Sequence, residues 1–376
     1  MTADSDADSP TTGRRLRSRR PSRFGRVSGP LVIAVLVVVT AAVVVASAAI
    51  GQVPVTPMEV LGSLAHHIRI DLGPIHFQLA VGPMPAHPQG EYTLWMVRFP
   101  RIVMGLVIGA ALGAAGCLMQ GVLANPLAEP GVVGVSSGAA VGAALMIVIG
   151  GTGTNGWALA GMAFVFALAT AAAVYVLSLR DGSSSAIMLV LTGIAVNAFA
   201  LGIISYLTFV ASTAAREQIV FWQLGSLEGM TWGPVWVSLL LVVGAIAASV
   251  LLVHKLDLLA LGDIQAASLG VPVETVRRQV IVLVAILTAA AVAFAGIVMF
   301  VGLIVPHLMR LIVGPRHAML LPASIVGGAL ILVAADLASR TVLGGASLPL
   351  GLFTSLVGGP VFFLLLRHSR HAGAGW

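Results

Sequence analysis

Long apolar runs separated by short polar turns constrain this chain more than any other feature. They fall at 30–50, 97–119, 132–149, 157–179, 186–210, 232–253, 280–301, 302–313, 319–337 and 350–366. About 20 apolar residues in helical form cross a bilayer, where every backbone polar group must be bonded internally. Only 9% of the 376 residues are charged and 58% are hydrophobic, against roughly a quarter charged in a soluble domain. The fold class predicted is an all-α polytopic membrane protein with about ten transmembrane helices.

Charge placement orients the bundle. The net charge of +6 is concentrated near one terminus and in short loops, which fits membrane topology and does not point to nucleic acid. Residues 1–28 carry Arg14, Arg15, Arg17, Arg19, Arg20, Arg23 and Arg26, cannot bury a core, and read as a disordered cytoplasmic tail. The transmembrane domain is placed at 29–368 and a cytoplasmic C-terminal tail at 369–376. Both termini are then inside, and the inner loops hold Arg180, Lys255, Arg277, Arg278, Arg310, Arg316, Arg367 and Arg370. Trp95, Trp157, Trp222, Trp232 and Trp236 fall at the predicted outer interface.

Lys255 is the only lysine, and it follows His254 rather than a glycine. The phosphate-cradling G-x-x-x-x-G-K-[ST] motif is therefore absent. If ATP drives this protein, another polypeptide hydrolyses it. No catalytic residue, metal site or cofactor is assigned to this chain, and Cys117, the single cysteine, forms no internal disulfide. Gly134-Val135-Ser136-Ser137-Gly138 matches G-x-S-x-G, but that motif needs a strand before its serine. A serine hydrolase pairing Ser136 with His307 is set aside on that ground. His66, His67, His76 and His87 share one outer loop, in spacings that match no ligand pattern.

The longest polar interruption in the C-terminal two-thirds is the loop 256–278. Asp263 reads as an N-cap, 264–269 as a short helix, Gly270 as its left-handed stop, and Pro272 as the first turn of the next helix. Arg277 and Arg278 close this knob. Between Arg278 and Arg310 lie only 32 residues, about 48 Å of helix, while two crossings need about 60 Å. The chain around 296–306 is therefore expected to turn back inside the protein, with a short helix after it. Gly105, Gly109, Gly113, Cys117 and Gly121 recur every fourth residue and predict a close helix crossing. Asp336 stands four residues before Arg340 and is expected to pair with it. Arg98, Arg101 and Arg340 sit on the outer side against the charge rule, which suggests snorkelling or docking to an acidic soluble protein.

These motifs carry a resemblance. V-R-F-P-R-I-V-M-G-L-V-I-G-A-A-L-G-A-A-G-C-L-M-Q-G-V-L-A-N-P-L-A-E-P-G-V-V-G-V-S-S-G, then F-W-Q-L-G-S-L, L-A-L-G-D-I-Q-A-A-S-L-G-V, V-G-L-I-V-P-H-L-M-R and L-P-L-G-L-F-T-S-L-V-G-G-P-V-F follow in order over 97–366. The chain resembles the FecCD family of ABC importer permeases, which carry iron–siderophore, haem or cobalamin. The resemblance implies a dimer of permeases in the cytoplasmic (inner) membrane, formed with itself or a paralogue. An ABC ATPase dimer using ATP and Mg would lie below, and an extracytoplasmic substrate-binding protein above. It implies that 257–276 forms the ATPase-coupling helices, with Leu261, Gly262, Asp263, Ala267, Leu269, Gly270, Val271 and Arg277 as coupling residues. It assigns Arg98, Arg101 and Arg340 to the binding protein's glutamates, and Ser183 and Ser184 in the 180–185 turn to a cytoplasmic gate. Asn125, Pro126, Glu129, Pro130, Pro306, His307 and Arg310 belong to the shared structural motifs. The stretch 218–227 looks somewhat more like the haem branch than the cobalamin branch, with ferric siderophore equally open. A stand-alone ion-coupled transporter is the rival from another class.

Overall fold

The computed structural model describes residues 28–67, 69–72, 75–78, 81–151, 155–343 and 347–371. Residues 1–27 of the expected basic tail and 372–376 at the other end lie outside the described residues. Fifteen α-helices follow one another. They are α1 (Gly29–Ala49), α2 (Pro57–His66), α3 (Gly90–Tyr92), α4 (Phe99–Val122), α5 (Val135–Gly150), α6 (Gly156–Ser178), α7 (Ala186–Val210) and α8 (Thr213–Leu224). After them come α9 (Trp232–Val250), α10 (Val253–Leu259), α11 (Asp263–Ser268), α12 (Val273–Ala295), α13 (Val301–Val313), α14 (His317–Thr341) and α15 (Leu350–His371). A π-helical turn, Thr93–Arg98, joins α3 to α4 in one rod. The described strands are a single antiparallel hairpin, β1 (Arg69–Leu72) and β2 (Ile75–Gln78), with Arg69 opposite Gln78.

Among the described residues seven helices are long and apolar enough to cross a membrane: α1, the α3–α4 rod, α6, α7, α9, α12 and α14. Apolar helices at Val135–Gly150, Val301–Val313 and Leu350–Leu365 are shorter. The α7 bounds match the apolar run 186–210, whereas α12 starts seven residues before its run and so takes in Glu274, Arg277 and Arg278.

The α4 rod is the centre, with almost every residue buried. Its small-residue stripe explains why. A Cβ on Gly109 would strike the carbonyl oxygen of Gly328 on α14, and a Cβ on Gly328 would strike that of Gly109. Gly113 meets the carbonyl of Ser324 in the same way, and Gly116 meets that of Gly302 on α13. Backbones at this separation exclude any side chain, so dispersion contacts replace the hydrophobic drive that lipid does not supply. The predicted close crossing is therefore α4 on α14.

The expected break after α12 lies at 296–300. Gly296 ends the helix at φ +69°, and a Cβ there would strike the carbonyl of Trp222. Phe300 also takes a left-handed φ of +67°, a costly conformation for a residue with a side chain. Its ring lies against Gly358 of α15, which leaves it room. The 13-residue α13 follows, and Pro306 lies inside that helix rather than at the turn.

The segment 211–231, which the apolar runs leave as a loop, contains α8. Arg216 donates from Nε to the Thr208 carbonyl (3.1 Å) and from Nη2 to that of Ala211 (3.4 Å), closing the end of α7. The chain ends this helix at Gly225, whose Cβ position is filled by the carbonyl of Ile297. Trp222 thus lies beside the helix break. It is apart from Trp95, Trp232 and Trp236, whose rings follow one another at 6.5 and 6.0 Å.

Candidate functional site

The knob is a folded foot of three helical pieces: α10, α11 and the first turns of α12. Gly270 stops α11 at φ +84°. The Val271 N–H reaches the Ala266 carbonyl (3.0 Å) and the Gly270 N–H that of Ala267 (2.9 Å), the paired bonds of a Schellman stop. At the other end the expectation fails. The N-cap of α11 is Gly262, at φ +105°, and no side chain caps the helix. Asp263 is the first helical residue, and its Oδ2 accepts from Arg277 Nη2 at 2.8 Å. A cationic partner outcompetes the local N–H groups because a charge-assisted bond is about twice as strong as a neutral one. Pro272 is the N-cap of α12 rather than part of its first turn.

Arg277 was expected to close the loop toward solvent. It is 2% exposed and holds three groups together. Besides Asp263, its Nη1 donates to the Ser184 carbonyl (2.5 Å) and lies 3.4 Å from Glu274 Oε2. Glu274 in turn accepts from the Ser184 N–H (2.9 Å), the Ser184 hydroxyl (3.0 Å) and the Tyr175 hydroxyl (2.7 Å). One buried guanidinium and one carboxylate thus join the foot, the end of α6 and the 180–185 turn. Sequence reading had named Asp263, Arg277 and Ser184 separately; it missed Glu274 and Tyr175. The signal for Glu274 was its three-residue spacing from Arg277. Ser183 is exposed, and its backbone pairs with Arg180 across the turn.

The other coupling candidates divide by exposure. Leu261, Ile264 and Leu269 are 59%, 80% and 60% exposed, an apolar surface on the foot's tip. Ala267 and Gly270 share that exposed surface, while Val271 points inward and is buried.

At the opposite end of α14 the arginines are inwardly engaged. Arg98 is 6% exposed; its Nη1 donates to the Ala48 carbonyl and its Nη2 to that of Val53, each at 2.6 Å. Asp336, 2% exposed, lies between two arginines: Arg101 Nη2 at 2.8 Å from Oδ1 and Arg340 Nε at 3.2 Å from Oδ2. The expected Asp336–Arg340 pair is present, and Arg101 is an added partner. Arg340 also donates to the Ser47 hydroxyl at 2.7 Å. A recess of about 640 Å³ opens above this cluster, lined by Arg98, Arg101, Arg340 and Glu228.

The Asn125–Pro130 motif builds the turn between α4 and α5. The Asn125 side chain accepts from the Leu127 N–H (2.9 Å), and Pro130 packs on Gly302. Burial pushes the Glu129 carboxyl above its usual range. It borders a cleft of about 480 Å³ with Ser137, Asn197 and Gln223, in which the Ser137 hydroxyl donates to Asn197 Oδ1 (2.6 Å). Ser136 follows a 3-10 turn and a left-handed Gly134, not a strand, and no hydrogen bond joins it to His307. His66 and His67 bond back to the Gly62 and Ser63 carbonyls of their own helix, and the side chain of His76 lies outside those described.

Comparison with known proteins agrees with this geometry. The FecCD transport family matches residues 36–368. The hemin transport system permease protein of Yersinia pestis is 38% identical over 288 residues, covering 76% of this chain and 86% of that protein. The cobalamin import system permease protein of Halobacterium salinarum is 38% identical over 271 residues, covering 72% of each. A solved metal-chelate type ABC transporter in an inward-facing conformation superposes with a TM-score of 0.77 at 28% identity, over 90% of this chain and 99% of that one.

Proposed function

This chain belongs to the FecCD transport family and is a multi-pass permease of an ABC importer, and on that premise we propose that it moves an iron chelate, haem or ferric siderophore, into the cytoplasm. All ten apolar helices cross or enter the membrane, with both termini cytoplasmic, and the short ones meet the broken backbone in the interior. Two such subunits enclose the path. An ATPase dimer, which alone binds ATP and Mg, seats the foot through the apolar tip of Leu261, Ile264 and Leu269, an exposed patch of the kind that marks a protein contact. A binding protein presents its acids to the recess of Arg101 and Arg340, while Arg98 shapes that recess from beneath.

The observation that carries this reading is Arg277. It links an exposed acid of the foot to the 180–185 turn through a single side chain, so displacement of the foot pulls on the turn. Ser184 is the gate residue held by that link, and Ser183 is its exposed neighbour. The second reading for cargo is cobalamin, because a cobalamin permease matches at the same identity as the hemin permease.

Reconstitution in liposomes tests both levels. With its ATPase and binding protein the permease should accumulate haem or a ferric hydroxamate only when ATP is supplied. Accumulation by this chain alone, driven by an ion gradient, would overturn the class. Accumulation of cobalamin in preference to either iron chelate would overturn the cargo.

A further inference from the structure

Beside the Arg277 network, α10 makes a second attachment to the bundle. Asp257 lies on α10, and its Oδ1 accepts from both the backbone N–H (2.8 Å) and the ring Nδ1 (2.7 Å) of His317, the first residue of α14. The carboxylate therefore caps a helix that is not its own, at the end where free N–H groups favour negative charge. His317 is 1% exposed, and its Nε2 has no partner. Arg310, in the last turn of α13, also lacks partners for its buried Nε and Nη2. Arg310 and Asp257 are near enough for their charges to act on each other, and Arg310 acts on His317 as well. Buried charged donors without acceptors are costly, and here one carboxylate is within reach of two claimants while both its bonds go to one.

We propose that Asp257 is a positioning residue with two alternating partners: it holds the start of α14 through His317 in the conformation described, and passes to Arg310 of α13 when the foot is displaced. This inference rests on the importer reading above. The exchange needs no new group, because Arg310 already waits with free donors. It converts foot movement into a choice between two helices that pack on α4. Such an element has two discrete arrangements, which is what physical coupling requires.

The permease assembled with its ATPase, in a C117A background, gives the test. Disulfide trapping of D257C/R310C is compared with that of D257C/H317C, with and without a non-hydrolysable ATP analogue. The 257–310 to 257–317 ratio should rise at least about fivefold with nucleotide, within the usual range of allosteric coupling. An unchanged ratio in an assembly that still hydrolyses ATP overturns the exchange and leaves the importer reading standing. Failure to assemble with any ATPase overturns both. A second measurement uses Asp257→Asn, Arg310→Gln and the double variant. Each single change should lower stimulation of ATP hydrolysis by loaded binding protein about tenfold. The double should be no worse than either single, because the two act as a unit. Multiplying losses, or a silent Arg310→Gln, count against the proposal.

Discussion

The two ends of the bundle solve opposite electrostatic problems. At the foot a cation is central: Arg277 is buried, and the acids around it, Asp263 and Glu274, are 54% and 29% exposed. At the far end an acid is central: Asp336 is 2% exposed, and both flanking arginines are 16% exposed. The foot network ties short elements, α11 and a turn, that few other contacts restrain. The Asp336 cluster ties α4 to α14, two long helices already locked by backbone contact. Removing a partner should therefore damage stability at the far end and coupling at the foot.

The largest expected effect is at Asp336. Asp336→Ala leaves Arg101 and Arg340 facing each other without their acid, and breaking a buried pair costs about 3–5 kcal/mol. The thermal midpoint in detergent should drop, and an unchanged midpoint would erase the contrast between the ends. Arg277→Met comes next. It retains the apolar stem but strands Glu274 and the Ser184 carbonyl, with a loss of about 2 kcal/mol. Unlike Asp336→Ala, it should also abolish ATP-driven uptake in protein that still folds. Asp263→Asn is smaller in stability, under about 1 kcal/mol, because that partner is half-exposed. Uptake per ATP hydrolysed should nonetheless fall, and full retention would make Asp263 merely a surface acid.

The smallest effect concerns pH at the far end. The Glu59 carboxylate accepts from the N–H groups of Thr56 and Ala86 and from the Thr56 hydroxyl, which hold its pKa below 4.5. A depressed folded pKa contributes stability above the unfolded value and loses it as pH falls through the folded one. Protease nicking of 81–89 should thus be unchanged between pH 8 and 6 and increase only below the ordinary carboxylate range. Increased nicking already at pH 6 would point to the histidines of that loop instead.

Much of this was legible in the residues. Apolar run length placed the membrane helices, the four-residue glycine repeat located the crossing, and Gly270 marked the stop of α11. The distance between Arg278 and Arg310 forecast the break at 296–300. What escaped were partners far apart in sequence. Glu274 with Tyr175, Arg101 with Asp336 and Asp257 with His317 are joined only by tertiary packing, which no local pattern encodes. Asp263 shows the same limit: a locally sensible cap gave way to a cation 14 residues later. The helix α8 was missed because Arg216, Glu217, Gln218 and Gln223 dilute its apolar face.

The Gly109–Gly328 contact has a mechanical corollary. Each glycine stands near the midpoint of its helix, so the crossing divides both rods into arms of similar length. With about 18 Å of helix on either side, a tilt that shifts one extremity by an ångström returns about an ångström, in the opposite sense, at the other. The bundle's pivot thus has unit gearing, and its fulcrum is bare peptide on bare peptide.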